Sequence, residues 1–391
     1  MQKSLFFLFS ALSLLFIGMY YLLESQFYKP EFYTTFSINI INNWNKLNFF
    51  LIHGVPMISS DNSLNINANA SRFYISHPPF SYYFYLFFKT VFGIKNIVWI
   101  NFLLTAVSSF FIYLTICTLT LKKASKDFSK YALGGALLYL TTPAVISFQI
   151  LNCHPDIFVQ SLFIIFSYVF LKMMVKGKYR SFKYIFILSL LVFLMCYSSW
   201  IGFFYTSTIL LFGLFNLRKG YKMISIVLIS LFVSIFTLFM IYTQYAKIEG
   251  WISVIFTFKN IYLKQSLFQG HYFHALKNIV YHHYQYIGNM VLTLLILIGY
   301  SISKKNKMLF TKNGYKFLII SFVPLFLFYF IFFNYSQNAY VVLYLASPLA
   351  IVSAIWIEKL QKTHPYPLFS NLIFGWIMVL NIVQFLFHFL K

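Results

Sequence analysis

Residues 223–242 read MISIVLISLFVSIFTLFMIY, twenty positions without a charge, an Asn, a Gln, a Gly or a Pro. At about 1.5 Å per residue such a run reaches about 30 Å as a helix, the thickness of a bilayer's hydrocarbon core. Only a helix satisfies every backbone polar group there without water or a partner strand. Ten further runs have the same character, at about 4–23, 97–121, 131–150, 157–175, 182–199, 201–217, 287–303, 317–333, 340–357 and 367–388. The first is a full twenty residues long with no small-x-small cleavage site after it, so it is expected to be an anchor and not a signal peptide.

Composition agrees. Of 391 residues 60% are hydrophobic and 9% charged, with 51 Phe and 31 Tyr. A soluble protein of this length needs far more charge to cover its surface. The net charge of +23 would ordinarily raise nucleic acid as a partner, yet the cations sit in short blocks between apolar runs and mark orientation instead. Cys117, Cys153 and Cys196 have neither metal-site spacing nor the pattern of a disulfide framework.

Alternating the sides from a cytoplasmic N-terminus puts 20 of the 30 Lys and Arg inside, Lys3 and 19 in short inner loops around 122–130, 172–183, 218–222, 304–316 and 359–362. Glu24, Glu31, Asp61, Asp156 and Glu249 fall outside, with seven of the nine histidines. The inner loops hold no Gly-rich phosphate cradle and have no room for a nucleotide-binding domain. Chemistry is therefore expected on the far side of the membrane.

Two long outer segments are expected, 24–96 and 243–286, within one integral-membrane domain over 1–391. In the first, Phe36, Ile40, Ile41, Trp44, Leu47 and Leu51 share a helical face opposite Asn39, Asn42, Asn43 and Lys46, the pattern of an interfacial helix. Phe80 to Phe92 is almost wholly aromatic or apolar but too short to span, so it lies along the membrane or dips into it. Amphipathic helices over one end of a bundle make a cavity at the lipid–water boundary, suited to a substrate with a greasy tail and a polar head.

Among outer residues, Asp156 stands beside His154 at a span end. It either orients an acceptor or catalytic group, or is a helix N-terminal carboxylate stabilised by the backbone dipole. Arg72 is the one outer arginine; its fork suits a phosphate, or it is an exposed loop cation. Lys247, Lys259, Lys264 and Lys277 suit phosphate or lipid headgroups. His77, before two prolines, reads as a fixed loop corner facing the cavity. His271, His274, His282 and His283 lack a neighbouring carboxylate and read as structural or headgroup-contacting, so no metal site is expected from them.

Four stretches together resemble the GT-C class of integral-membrane glycosyltransferases, in the branch of protein O-mannosyltransferases and aminoarabinose transferases. They are Pro30-Glu31 after the first run; Tyr74-Ile75-Ser76-His77-Pro78-Pro79-Phe80 with its aromatic run to Gly93; Pro155-Asp156 opening the fourth run; and Tyr340 to Ala350, ending Ser347-Pro348-Leu349-Ala350. Relatives commonly carry paired acids in the first loop, whereas Phe32 follows Glu31 here. The eleven runs give an all-α polytopic fold of about eleven transmembrane helices with interfacial helices in the long first outer loop, and this is similar to the GT-C architecture. The resemblance implies sugar transfer from a polyprenyl-phosphate donor to an acceptor hydroxyl on a glycan, lipid or protein, with Glu31 as base. On that reading Glu31 and Asp156 are the expected catalytic residues, and Arg72, His77, His154, Lys247 and Tyr340 the expected substrate-binding ones. No cofactor is required, although a divalent metal is compatible. The expected location is a bacterial inner (plasma) membrane, site outward, with lipids but no nucleic acid as partners. A transporter or flippase, or a ligase or polymerase of lipid-linked glycans, are the alternative readings.

Overall fold

A computed structural model describes residues 2–24, 32–47, 53–56, 77–93, 98–120, 130–152, 154–215, 221–266, 272–303, 311–363 and 369–389. All regular structure among them is helical. Four helices come first: α1 (Gln2–Glu24), α2 (Phe32–Leu47), α3 (Phe80–Phe92) and α4 (Val98–Thr120). Next are α5 (Lys130–Thr141), a π-helical turn at Val145–Ile150, α6 (Pro155–Lys176), α7 (Phe182–Ser198) and α8 (Ile201–Phe215). Then follow α9 (Tyr221–Glu249), α10 (Trp251–Gln265), α11 (Tyr272–Ser303) and α12 (Lys312–Ile331). Two short 3₁₀ turns, Tyr335–Gln337 and Ala339–Val342, lead into α13 (Leu343–Thr363) and α14 (Phe369–Phe389).

Among the described residues the eleven apolar runs are mostly helical, and six helices are long and apolar enough to cross a membrane; α7 and parts of α1 and α8 are shorter apolar helices. The chain is thus a helical, membrane-integral protein. Its surface fits that solvent. Phe232, Phe239, Phe326 and Leu372 are 60–71% exposed around the bundle, where a soluble protein would carry charge. Sequestered at the centre are α6 and α13, and Gln160 on α6 donates to Ser347 Oγ on α13 at 3.0 Å. A buried amide without such a partner would cost several kcal/mol in hydrocarbon, of the order of ~2–7.

Several expectations need correcting. The run 131–150 is not one continuous helix. Pro143 has no N–H to continue the ladder, so α5 ends at Thr141 and the chain restarts before the π-helical turn at Val145–Ile150. The segment 243–286 is mostly helix: α9 continues to Glu249, α10 follows, and α11 begins at Tyr272. At 32 residues α11 is about 48 Å long, well beyond a hydrocarbon core. On α2, Ser37, Ile40, Ile41, Asn43 and Trp44 are all buried, a wider arc than expected that takes in Asn43 from the polar face. Asn42 stays on the polar side, accepting from Lys89 Nζ of α3 at 2.9 Å. Leu51 lies outside the described residues.

The short aromatic segment forms α3, from Phe80 to Phe92, closed by Gly93 in the left-handed region at φ 63°. Tyr82 and Tyr85 are buried against the body. Residues 53–56 are tied to these helices, since Trp44 Nε1 donates to the Val55 carbonyl at 2.7 Å and Tyr83 to the Gly54 carbonyl at 2.9 Å.

Candidate functional site

Helix α6 starts in a turn that gathers polar groups at one end of the bundle. His154 is its N-cap, its ring accepting from the Asp156 N–H at 3.4 Å, and Pro155 takes the first helical position where a missing N–H costs nothing. Asp156 therefore sits in the first turn, where the helix dipole favours a carboxylate. The far end of α6, with Lys176, Lys178, Arg180 and Lys183 around the turn into α7, is about 33 Å away.

Both Asp156 oxygens are engaged. Ser199, in the junction between α7 and α8, donates to Oδ1 at 2.6 Å, and Tyr335 in the first 3₁₀ turn donates to Oδ2 at 2.9 Å. His77 enters from the segment before α3. Its Nδ1 stands 3.7 Å from Asp156 Oδ1, and its Nε2 is 3.2 Å from the Tyr335 hydroxyl. The Tyr245 hydroxyl of α9 fixes the same residue by donating to its carbonyl at 3.3 Å. His154 Nδ1 lies 3.5 Å from Asp156 Oδ2. The two imidazoles meet edge to face at 4.8 Å, and Tyr340 packs against His154 at 4.2 Å.

His77, His154, Asp156, Ser199, Tyr245 and Tyr340 are buried and Tyr335 is half-buried, and burial sets the charge of the titrating groups. It lowers the His77 pKa below its usual value, against the pull of Asp156. For His154 the same burial dominates, the Asp156 carboxylate opposing it and His77 adding to it, and the pKa falls to about 3. Burial, reinforced by the Asp156 charge, pushes the Tyr335 phenol up. The cluster therefore comprises one carboxylate, two neutral imidazoles and a protonated phenol. One ligand atom from each of His77, His154 and Asp156 lies within 4.8 Å of the others, a set able to hold a metal ion.

Helix α9, whose Tyr245 reaches His77, also walls a cleft of about 530 Å³ lined by His53, Tyr83, Tyr197, Phe236, Phe239, Met240, Thr243, Gln244 and Lys247. Gln244 is its hub, donating to the His53 carbonyl at 2.6 Å and to the Tyr83 hydroxyl and accepting from Tyr197 at 2.8 Å. Phe236 and Phe239, about half exposed on the outside of α9, form its outer wall.

Four of the seven expected site residues, His77, His154, Asp156 and Tyr340, thus come together from three distant parts of the chain. Lys247 lies in the cleft, not the cluster, while Glu31 and Arg72 fall outside the described residues. Ser199, Tyr335 and Gln244 were not singled out in the sequence. Ser199 closes an apolar run and Tyr335 sits in a short turn, so only their position at helix ends marks them. Three of the later histidines make local contacts: His283 bridges the Ile279 carbonyl (2.6 Å) and the Tyr329 hydroxyl (2.8 Å), and His274 meets Asn278, whereas His282 packs beside Tyr281. His271 lies outside the described residues. No protein-family model matches the chain, and no curated protein matches it.

Proposed function

We propose that this chain is a membrane glycosyltransferase that takes a sugar from a polyprenyl-phosphate donor and passes it, with inversion, to a hydroxyl on the extracytoplasmic side. Its eleven apolar runs are read as eleven spans, α2, α3 and α10 as interfacial helices, and the cluster end as the outer face. The observation that carries the reading is the buried carboxylate–imidazole cluster, joined through Tyr245 to the helix that walls a cleft with aromatic side chains and a cation. A prenyl chain suits Phe236, Phe239 and Met240, a phosphate suits Lys247, and sugar faces suit the Tyr83 and Tyr197 rings. The GT-C resemblance and the cation distribution point the same way, because nucleotide sugars are confined to the cytoplasm.

In such a transfer the acceptor oxygen attacks the anomeric carbon, the bond from that carbon to the phosphate oxygen breaks, and the acceptor proton passes to a base. Glu31 is the base in this reading. Asp156 has both oxygens occupied and is buried, so it serves as a positioning residue that holds His77 and Tyr335. One carboxylate base is enough for inversion, which forms no covalent intermediate.

The test is transfer by the purified chain in proteoliposomes offered labelled polyprenyl-phosphate sugars and, separately, nucleotide sugars. Transfer from the lipid donors alone supports the reading. Transfer only from nucleotide sugars, or from none of a broad donor panel by folded protein, overturns it.

A further inference from the structure

We propose that His77, His154 and Asp156 bind one divalent transition-metal ion, zinc foremost. The separations are the first reason. At 3.7 and 3.5 Å, the two Nδ1 atoms stand farther from the Asp156 oxygens than the usual hydrogen bond of about 2.7–3.2 Å, and farther than the 3.4 Å contact by which His154 caps α6. Ligands about 2.0–2.1 Å from a tetrahedral zinc stand about 3.3–3.4 Å from each other. The two contacts fall on different oxygens of Asp156, and one ligand atom from each residue lies within 4.8 Å of the others, so an inward shift of about 1 Å brings all three to zinc distance.

Tautomer and charge add to this. His154 Nδ1 accepts from the Asp156 N–H, so its lone pair lies on the nitrogen that also faces Asp156 Oδ2. A lone pair turned towards a carboxylate repels it unless a cation lies between. Among the described residues, the ion-pairing partners of Asp156 are these imidazoles, with no Lys or Arg.

The surrounding groups are those that orient metal ligands. Tyr335 contacts the other ring nitrogen of His77, which leaves Nδ1 as the ligand, and its own proton goes to Asp156 Oδ2. Ser199 holds Oδ1. Two nitrogens and a carboxylate favour zinc over magnesium or calcium, which take oxygen ligands. Three protein ligands leave a fourth position open. Resting on the transfer reading above, that position takes a phosphate oxygen of the donor, which deepens that reading by giving the leaving group a Lewis acid.

The test uses the full-length chain, stripped with chelator in detergent and reloaded with zinc chloride. Elemental analysis should find one zinc per chain, and X-ray absorption should show nitrogen and oxygen neighbours without sulfur. His77→Gln and His154→Gln should each weaken zinc at least 100-fold, and Tyr335→Phe about 10–100-fold. Because a misfolded variant reads as one that cannot bind, the wild type is also melted with and without zinc. A melting point raised by zinc and not by magnesium supports the site. No bound zinc, or zinc retained by a monodisperse His77→Gln/His154→Gln double variant, overturns it. Metal content is read without any turnover: zinc bound by protein that transfers nothing removes the glycosyltransferase reading alone, and transfer by zinc-free protein removes the metal alone.

Discussion

Replacing Tyr335 by Phe deletes one hydroxyl and keeps the ring, so it leaves no cavity. That hydroxyl donates to Asp156 Oδ2 at 2.9 Å and is 3.2 Å from His77 Nε2. A hydrogen bond to a charged acceptor contributes about 1.5–3 kcal/mol, and stranding a buried acceptor adds to the loss. Tyr335→Phe should therefore destabilise the chain by about 2–3 kcal/mol. Most of this should vanish once the acceptor is neutral, because a neutral pair contributes only about 0.5–1.5 kcal/mol. A double-mutant cycle with Asp156→Asn should show a coupling of about 1–2 kcal/mol, the size expected for directly bonded side chains. The assay is reversible unfolding by SDS in mixed micelles, with the exposed Tyr281→Phe as control. A neutral Tyr335→Phe, or losses that simply add in the double variant, would refute the geometry of the cluster.

Other substitutions probe the elements around it. A Cβ on Gly202 would clash with the Met195 carbonyl oxygen, so Gly202→Val should cost at least about 1–3 kcal/mol by overpacking and displace Ser199 nearby; an unchanged melting temperature would contradict the close approach of α8 to α7. Gln244→Leu removes contacts to the His53 carbonyl, Tyr83 and Tyr197, and should lose about 2–4 kcal/mol with faster proteolysis within residues 53–56. Trp44→Phe strands the Val55 carbonyl and should lose about 1–3 kcal/mol by the same unfolding assay. Lys247→Gln, in the cleft and outside the cluster, should raise the KM for a lipid-phosphate donor about tenfold, or ~1.4 kcal/mol, with kcat changed less than about threefold; a fall in kcat at constant KM would place Lys247 elsewhere in the cycle.

Helix positions were plain in the sequence because hydrocarbon imposes one rule on every run: twenty apolar residues must be helical. The rule says nothing about how helices end. Thus 131–150, uniformly apolar, conceals the break at Pro143, and 243–286, with its Lys, His and aromatics, reads as a loop although α9, α10 and α11 run through it. His77, His154 and Asp156 stood out because ionisable groups are scarce beside apolar runs. Their convergence could not be read, since 77 residues separate His77 from His154 and no periodicity links them. Ser199 and Tyr335 were invisible for a simpler reason. Serine and tyrosine are common throughout the chain, and only the carboxylate each one meets distinguishes it.

The most direct measurement is the rate of sugar transfer from a polyprenyl-phosphate donor in proteoliposomes by wild type, Glu31→Gln and Asp156→Asn, each shown to be folded. With a base lost, Glu31→Gln should fall about 10²–10⁴-fold, and Asp156→Asn should fall with it as His77 and Tyr335 lose their anchor. Transfer by both variants at the wild-type rate would contradict the account.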